Sequence, residues 1–150
     1  MLKLSRTPFF HEQDPAYTDH YERALSNQVL GSRQDRPDAE KPLVTYVIGL
    51  TPGHVRDYTP KRGTTCCEGT GMESATKYQD SVYFAKADGS ALYVNLYSAS
   101  RLTWAEKGVT VTQTTRYPQE QDSTLALGGG RASFTLLLRV PSPGRPRASG

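Results

Sequence analysis

The spacing of apolar residues changes period once along this chain, near Asp80, and that change constrains the fold more than any other feature. Before it the apolar positions recur at helical spacing; after it they alternate. Asp14 is placed to cap a helix and Pro15 to occupy its first position, where a missing N–H costs nothing. Tyr17, Tyr21, Ala24, Leu25 and Val29 then fall on one face, and Gly31 closes the helix. Asp19, Glu22 and Arg23 lie on the other face, which reads as solvated. Residues 1–6 (MLKLSR) read as the end of a preceding helix that stops near Thr7-Pro8.

From Ser81 onward Val82 and Phe84 alternate against Tyr83, and Asp88-Gly89 is a hairpin turn. Leu92, Val94 and Leu96 face one way, Tyr93, Asn95 and Tyr97 the other. Val109 and Val111 alternate with threonines, Leu125 and Leu127 make a shorter run, and Phe134, Leu136, Leu138 and Val140 share a face. This predicts about five or six strands in an antiparallel sheet or sandwich. Helices first and strands after predict an α+β chain of two domains joined near Asp80, residues 1–80 and 81–141. Residues 142–150, rich in Pro, Gly and Arg, read as a disordered tail.

Between the two periods, residues 32–42 are polar and loop-like. Residues 43–49 (LVTYVIG) read as a short buried strand, and residues 54–58 as its antiparallel return after the Pro52-Gly53 turn.

Composition excludes several functions. The net charge is +3 and the basic residues are dispersed outside the tail, which argues against nucleic acid as a partner. No apolar run approaches the roughly 20 residues of a membrane helix, so no membrane partner is expected. The first residues lack the apolar core and cleavage site of a signal peptide; as the sequence stands, the chain would be cytoplasmic.

The chain has 2 cysteines, adjacent at Cys66 and Cys67 in GTTCCEGTGME (residues 63–73). Neighbouring cysteines pair only as a strained vicinal disulfide, so free thiols are expected. Thr70-Gly71-Met72-Glu73 matches a capping box, which places both sulfurs just ahead of a helix whose positive end favours thiolate. Met72, Ala75, Thr76 and Gln79 would share a face of that helix, ending near Asp80. Two vicinal thiols can ligate one zinc, yet tetrahedral zinc wants four ligands, or three plus water, and no recognised spacing supplies the rest. Spacing alone favours buried structural cysteines, and also allows a redox or zinc-storage pair. Glu73 is explained by the cap and Glu68 by solvation; His54 is a possible substrate contact. Trp104, Tyr83, Tyr93 and Tyr97 could stack on sugar or simply pack.

The order of segments DHYERALSNQVL (residues 19–30), TPGH (51–54), TTCCEGTGMESATKYQDSVYF (64–84) and ALYVNLYSASRLTWAEKGVTVTQTTRYP (91–118) resembles glycoside hydrolase family 127, the β-L-arabinofuranosidases. The resemblance covers roughly residues 1–141. It implies the last helices of an (α/α)6 barrel followed by part of a β-sandwich. It also implies a zinc held by one Glu and three Cys, with the first vicinal cysteine as nucleophile in retaining cleavage of terminal β-L-arabinofuranosides. Carried over, Cys66 is the nucleophile and a ligand and Cys67 a second ligand, with L-arabinofuranose-containing glycans as the partners. The family's remaining Glu and Cys ligands lie just before an MLKL-type helix, and its general acid/base Glu further upstream. The sequence starts at MLKL and ends in PGRPRASG, so the expectation is a chain truncated at both ends, inactive alone and missing half its metal set. The alternative is a non-catalytic carbohydrate-binding or structural β-sandwich module.

Overall fold

The computed structural model describes residues 2–34, 36, 44–45, 48–58 and 66–142. Helices come first: α1 (Leu2–Glu12), α2 (Pro15–Ala24), which runs straight into a π-helical turn (Leu25–Leu30), then α3 (Cys66–Ala75) and α4 (Lys77–Asp80). Six strands follow: β1 (Tyr83–Ala85), β2 (Ala91–Val94), β3 (Ser100–Trp104), β4 (Val109–Thr115), β5 (Ser123–Gly129) and β6 (Thr135–Leu138). The change of period at Asp80 is therefore the change from helix to strand.

Asp14 caps α2 as expected, its Oδ1 accepting from the Ala16 N–H at 2.8 Å. Gly31 ends the π-helical turn with right-handed φ −64°, not the left-handed cap the sequence suggested. A Cβ there would lie 2.3 Å from the Asn27 carbonyl oxygen, so close backbone approach is what requires glycine.

The expected stop at Thr7-Pro8 is overturned: α1 continues through Pro8 to Glu12. An interior proline costs about 3 kcal/mol. Burial of Phe9 against Phe84 (centroids 4.9 Å) and Tyr93 (5.8 Å) offsets it.

The apolar face of α2 has partners in the strand region. Tyr21 and Leu25 form one core cluster with Val82 and Leu96, flanked by Leu2, Val29, Tyr78 and Tyr83. The opposite face is not solvated as expected, because Asp19 is buried and Glu22 half-buried. Both carboxylates meet the Arg139 guanidinium.

The strands form two three-stranded sheets, ordered β1-β2-β6 and β3-β4-β5. The β1–β2, β3–β4 and β4–β5 pairings are antiparallel; β2–β6 is parallel, with Leu92 opposite Leu136. Leu92 from one sheet packs with Trp104, Val109 and Val111 from the other, with Leu102, Leu125, Phe134 and Leu136 at the margin, which makes a sandwich core. The β1–β2 hairpin turns at Asp88-Gly89, with Gly89 at φ 67° and Asp88 Oδ1 accepting from the Ser90 N–H at 2.9 Å. The face expected for Leu138 and Val140 differs: both are exposed, whereas Phe134 and Leu136 are partly buried. Val140 lies beyond the end of β6, where no pairing holds it against the core.

Of the strand expected at residues 43–49, only 44–45 and 48–49 lie among the described residues, and these form no buried strand. Val44 makes an isolated bridge with Arg33, while Ile48 is 60% exposed. Leu50 and Val55 are also exposed, and residues 54–58 form no returning strand. β-rich composition makes a strand only where a paired edge lies within reach. Of the tail expected at residues 142–150, Ser142 is described and its N–H donates to Asp19 Oδ1 at 3.5 Å, while residues 143–150 lie outside the described residues.

Candidate functional site

Cys66 is the first residue of α3, with a free, exposed thiol. Thr70 lies one turn further in and donates its hydroxyl back to the Cys66 carbonyl at 3.0 Å. The capping-box expectation is therefore overturned. The helix already includes Cys66, five residues ahead of Gly71, which that motif would make the first helical position, and both cysteines are helical.

Glu73 makes no return to a cap. Its Oε1 accepts from Lys3 Nζ of α1 at 2.7 Å. The hydrogen bond and charge of Lys3 lower the Glu73 pKa, and the same pair raises that of Lys3. Thr76 and Gln79, expected on a shared helix face, are exposed. The side chains of Cys67, Glu68, Met72 and Ala75 lie outside the described residues.

Short contacts tie α3 to the end of α2's π-helical extension. The Thr45 N–H donates to the Ser32 carbonyl at 2.8 Å beside the Arg33–Val44 bridge. Val44 then packs on Gly71, where a Cβ would come within 3.1 Å of Val44 Cγ2. Arg6 of α1 reaches Asp80 of α4 at 3.3 Å.

His54 follows a turn at residues 51–53, its N–H donating to the Thr51 carbonyl at 3.1 Å. Gly53 supplies the φ of 79° that this turn needs. The exposed His54 ring lies over Gly49, where a Cβ would stand 2.4 Å from it. No recorded contact among the described residues joins His54 to Cys66.

Thiol chemistry suits zinc, but a tetrahedral centre needs a full donor set. Among the described residues no group of three or more His, Cys, Asp or Glu converges. The described residues thus do not make a zinc centre by themselves.

The aromatic candidates are occupied by packing. Trp104 is buried in the sandwich core and meets Phe134 edge-on at 5.2 Å. Tyr93 packs on Phe9, and Tyr83 shares a hydrogen bond with Ser100 at 3.0 Å. Tyr97 donates to the Arg139 carbonyl at 2.5 Å.

Sequence reasoning passed over the Arg139 cluster. Arg139 follows β6 and is buried, donating from Nε to the Asn95 carbonyl at 2.5 Å, to Asp19, and to Glu22 Oε2 at 2.6 Å. Burial pushes the Asp19 carboxyl up, but hydrogen bonds from Ser142 and the Arg139 charge outweigh it, so its pKa lies below the ordinary 3.8. The signal was a charged residue in an apolar strand and two carboxylates three apart on a helix, a pattern equally common on solvated surfaces.

Beside this cluster, a cleft of about 560 Å³ separates α2 and its π-helical turn from the sandwich. Glu22, Leu25, Tyr78, Tyr97, Arg116 and Tyr117 line it; Cys66 and His54 do not.

Two family models match the chain. The GH127 catalytic domain of β-L-arabinofuranosidase matches residues 1–80, and the GH127 middle domain residues 91–145. Among solved structures, the fold is similar to Ara127N-Se, a GH127 β-L-arabinofuranosidase from Geobacillus stearothermophilus T6, with TM-score 0.68 and 24% identity. The match covers 94% of this chain and 24% of that one, so the chain spans about a quarter of that protein's length. No curated protein matches the sequence.

Proposed function

We propose, from the premise that this chain belongs to the GH127 β-L-arabinofuranosidase family, that it carries the cysteine end of a site for retaining hydrolysis of terminal β-L-arabinofuranosides. The observation that carries this reading is the free, exposed Cys66 thiol at the start of α3, within the segment that matches the catalytic-domain model. Residues 1–80 are assigned to catalysis, and residues 81–141 to the sandwich that backs them.

In the proposed reaction the Cys66 sulfur attacks the anomeric carbon as the glycosidic C–O bond breaks, giving a thioether. The leaving oxygen takes a proton from a general acid outside the described residues. Water then displaces the sulfur as thiolate, giving its proton to the conjugate base of that acid and releasing L-arabinose, and the two inversions retain configuration. The usual arrangement of two carboxylates is absent from this scheme. Zinc, where bound, would hold a thiol as thiolate. Cys66 and Cys67 are the proposed ligands, completed by donors from outside the described residues. His54 is proposed to contact the sugar.

The isolated chain is expected not to hydrolyse an aryl β-L-arabinofuranoside. Incubation with a bromoacetyl β-L-arabinofuranosylamine, followed by peptide mapping, is expected to alkylate Cys66, with free L-arabinose protecting. Labelling without protection by the sugar, or sugar-protected labelling that persists in Cys66→Ser at another residue, would overturn the assignment.

A further inference from the structure

We propose that the groove between α2 and the sandwich binds a neutral oligosaccharide. Two hollows meet there, of about 560 Å³ on the helix side and about 330 Å³ on the sandwich side, and Tyr97 and Tyr117 line both. Their sizes fall in the range of about 300–1,000 Å³ typical of small-ligand sites.

A sugar ring presents an apolar C–H face and a rim of hydroxyls, so its site needs a flat ring beside donors and acceptors. Tyr117 is 37% exposed and offers its ring, whereas Tyr97 is fixed as a wall by its hydrogen bond to the Arg139 carbonyl. Leu25 and Leu96, both buried, back the helix side. Glu22 engages Arg139 through Oε2, which leaves Oε1 as an acceptor among the described residues. Ser98 and Gln119 add a hydroxyl and an amide on the helix side, and Gln121 adds an amide on the sandwich side.

Charge selects a neutral ligand. The two cations lining the groove are already paired: Arg139 with Asp19 and Glu22, and Arg116 with Glu120 at 2.9 Å. A phosphate or sulfate would have to compete with Glu22, Asp19 and Glu120 for those cations, while a polyhydroxylated chain needs none. Since neither Cys66 nor His54 lines the groove, this inference goes beyond the proposed nucleophile and does not depend on it.

The test is calorimetric titration of the whole chain with a linear arabino-oligosaccharide, and in parallel with a sulfated oligosaccharide. Saturable binding of the neutral chain is expected, with a dissociation constant near or below about 1 mM. Tyr117→Ala should weaken it by about 3- to 10-fold, the scale of one aromatic contact. Cys66→Ser should leave it unchanged. Should Tyr117→Ala fail to fold, Tyr117→Leu keeps bulk without the ring and should show the same loss. No saturable binding by folded protein, tighter binding of the sulfated chain, or unchanged affinity in the Tyr117 variant would overturn the proposal. Loss of binding in Cys66→Ser alone would also overturn it, while leaving the nucleophile assignment standing.

Discussion

Arg139 at the end of the sandwich donates to Asp19 on helix α2, a residue 120 positions earlier, and both side chains are buried. A guanidinium out of water is stable only when its donors are met. Asn95, Asp19 and Glu22 meet them, so helix and sandwich are held in one register by a polar contact and by the Tyr21–Leu96 core.

Arg139→Met removes one partner and leaves two carboxylates without it. The expected cost is about 3–5 kcal/mol, read from urea midpoints. Replacing Asp19 and Glu22 by leucine in the same variant should recover much of that loss. A full loss in the triple variant would show that shape rather than charge is what Arg139 provides.

The Asp19 carboxyl has a lowered pKa in the folded chain. Its stabilising contribution is therefore complete above the unfolded value and disappears as pH falls through the lower folded value. Wild type should exceed Asp19→Asn in stability at pH 7, with the gap closing below pH 3.8. A gap that widens on acidification would contradict the assignment.

Phe9 is buried under Phe84 and Tyr93, whereas Phe10 is 53% exposed. Phe9→Ala should cost about 3–5 kcal/mol and loosen α1 from the sheet. Phe10→Ala should cost clearly less, by thermal unfolding of the two variants side by side.

Gly129 sits at φ 108°, and a Cβ there would stand 2.2 Å from the Gly108 carbonyl oxygen; at neighbouring Gly128 a Cβ meets open space. Gly129→Ala should destabilise by more than about 1 kcal/mol and disturb the β4–β5 pairing, while Gly128→Ala should be tolerated. Equal thermal midpoints for the two variants would refute this reading.

Local patterns were legible where one short-range force dominates. The Asp14 cap, the Asp88-Gly89 turn and the alternation of Leu92, Val94 and Leu96 all reappear in the structure. Errors arose where distant packing outweighed a local preference. Pro8 reads locally as a stop, but Phe9 carries the helix past it. Thr70 and Glu73 match a cap by spacing, but the helix already includes Cys66 and Glu73 turns to Lys3. In the site, Cys66 and His54 were singled out by residue type and motif order; the structure adds where each sits and what each touches.

The sequence by itself determined the helix-then-strand order, most helix and strand positions and the adjacency of the two thiols, because these depend on periodicity and covalent neighbours. Tertiary structure alone decided that β6 runs parallel to β2, and that Asp19 and Glu22 face inward to Arg139. It also placed Tyr97 and Tyr117 along one groove. Those outcomes join residues far apart in the chain, and only the folded packing brings them within reach of one another.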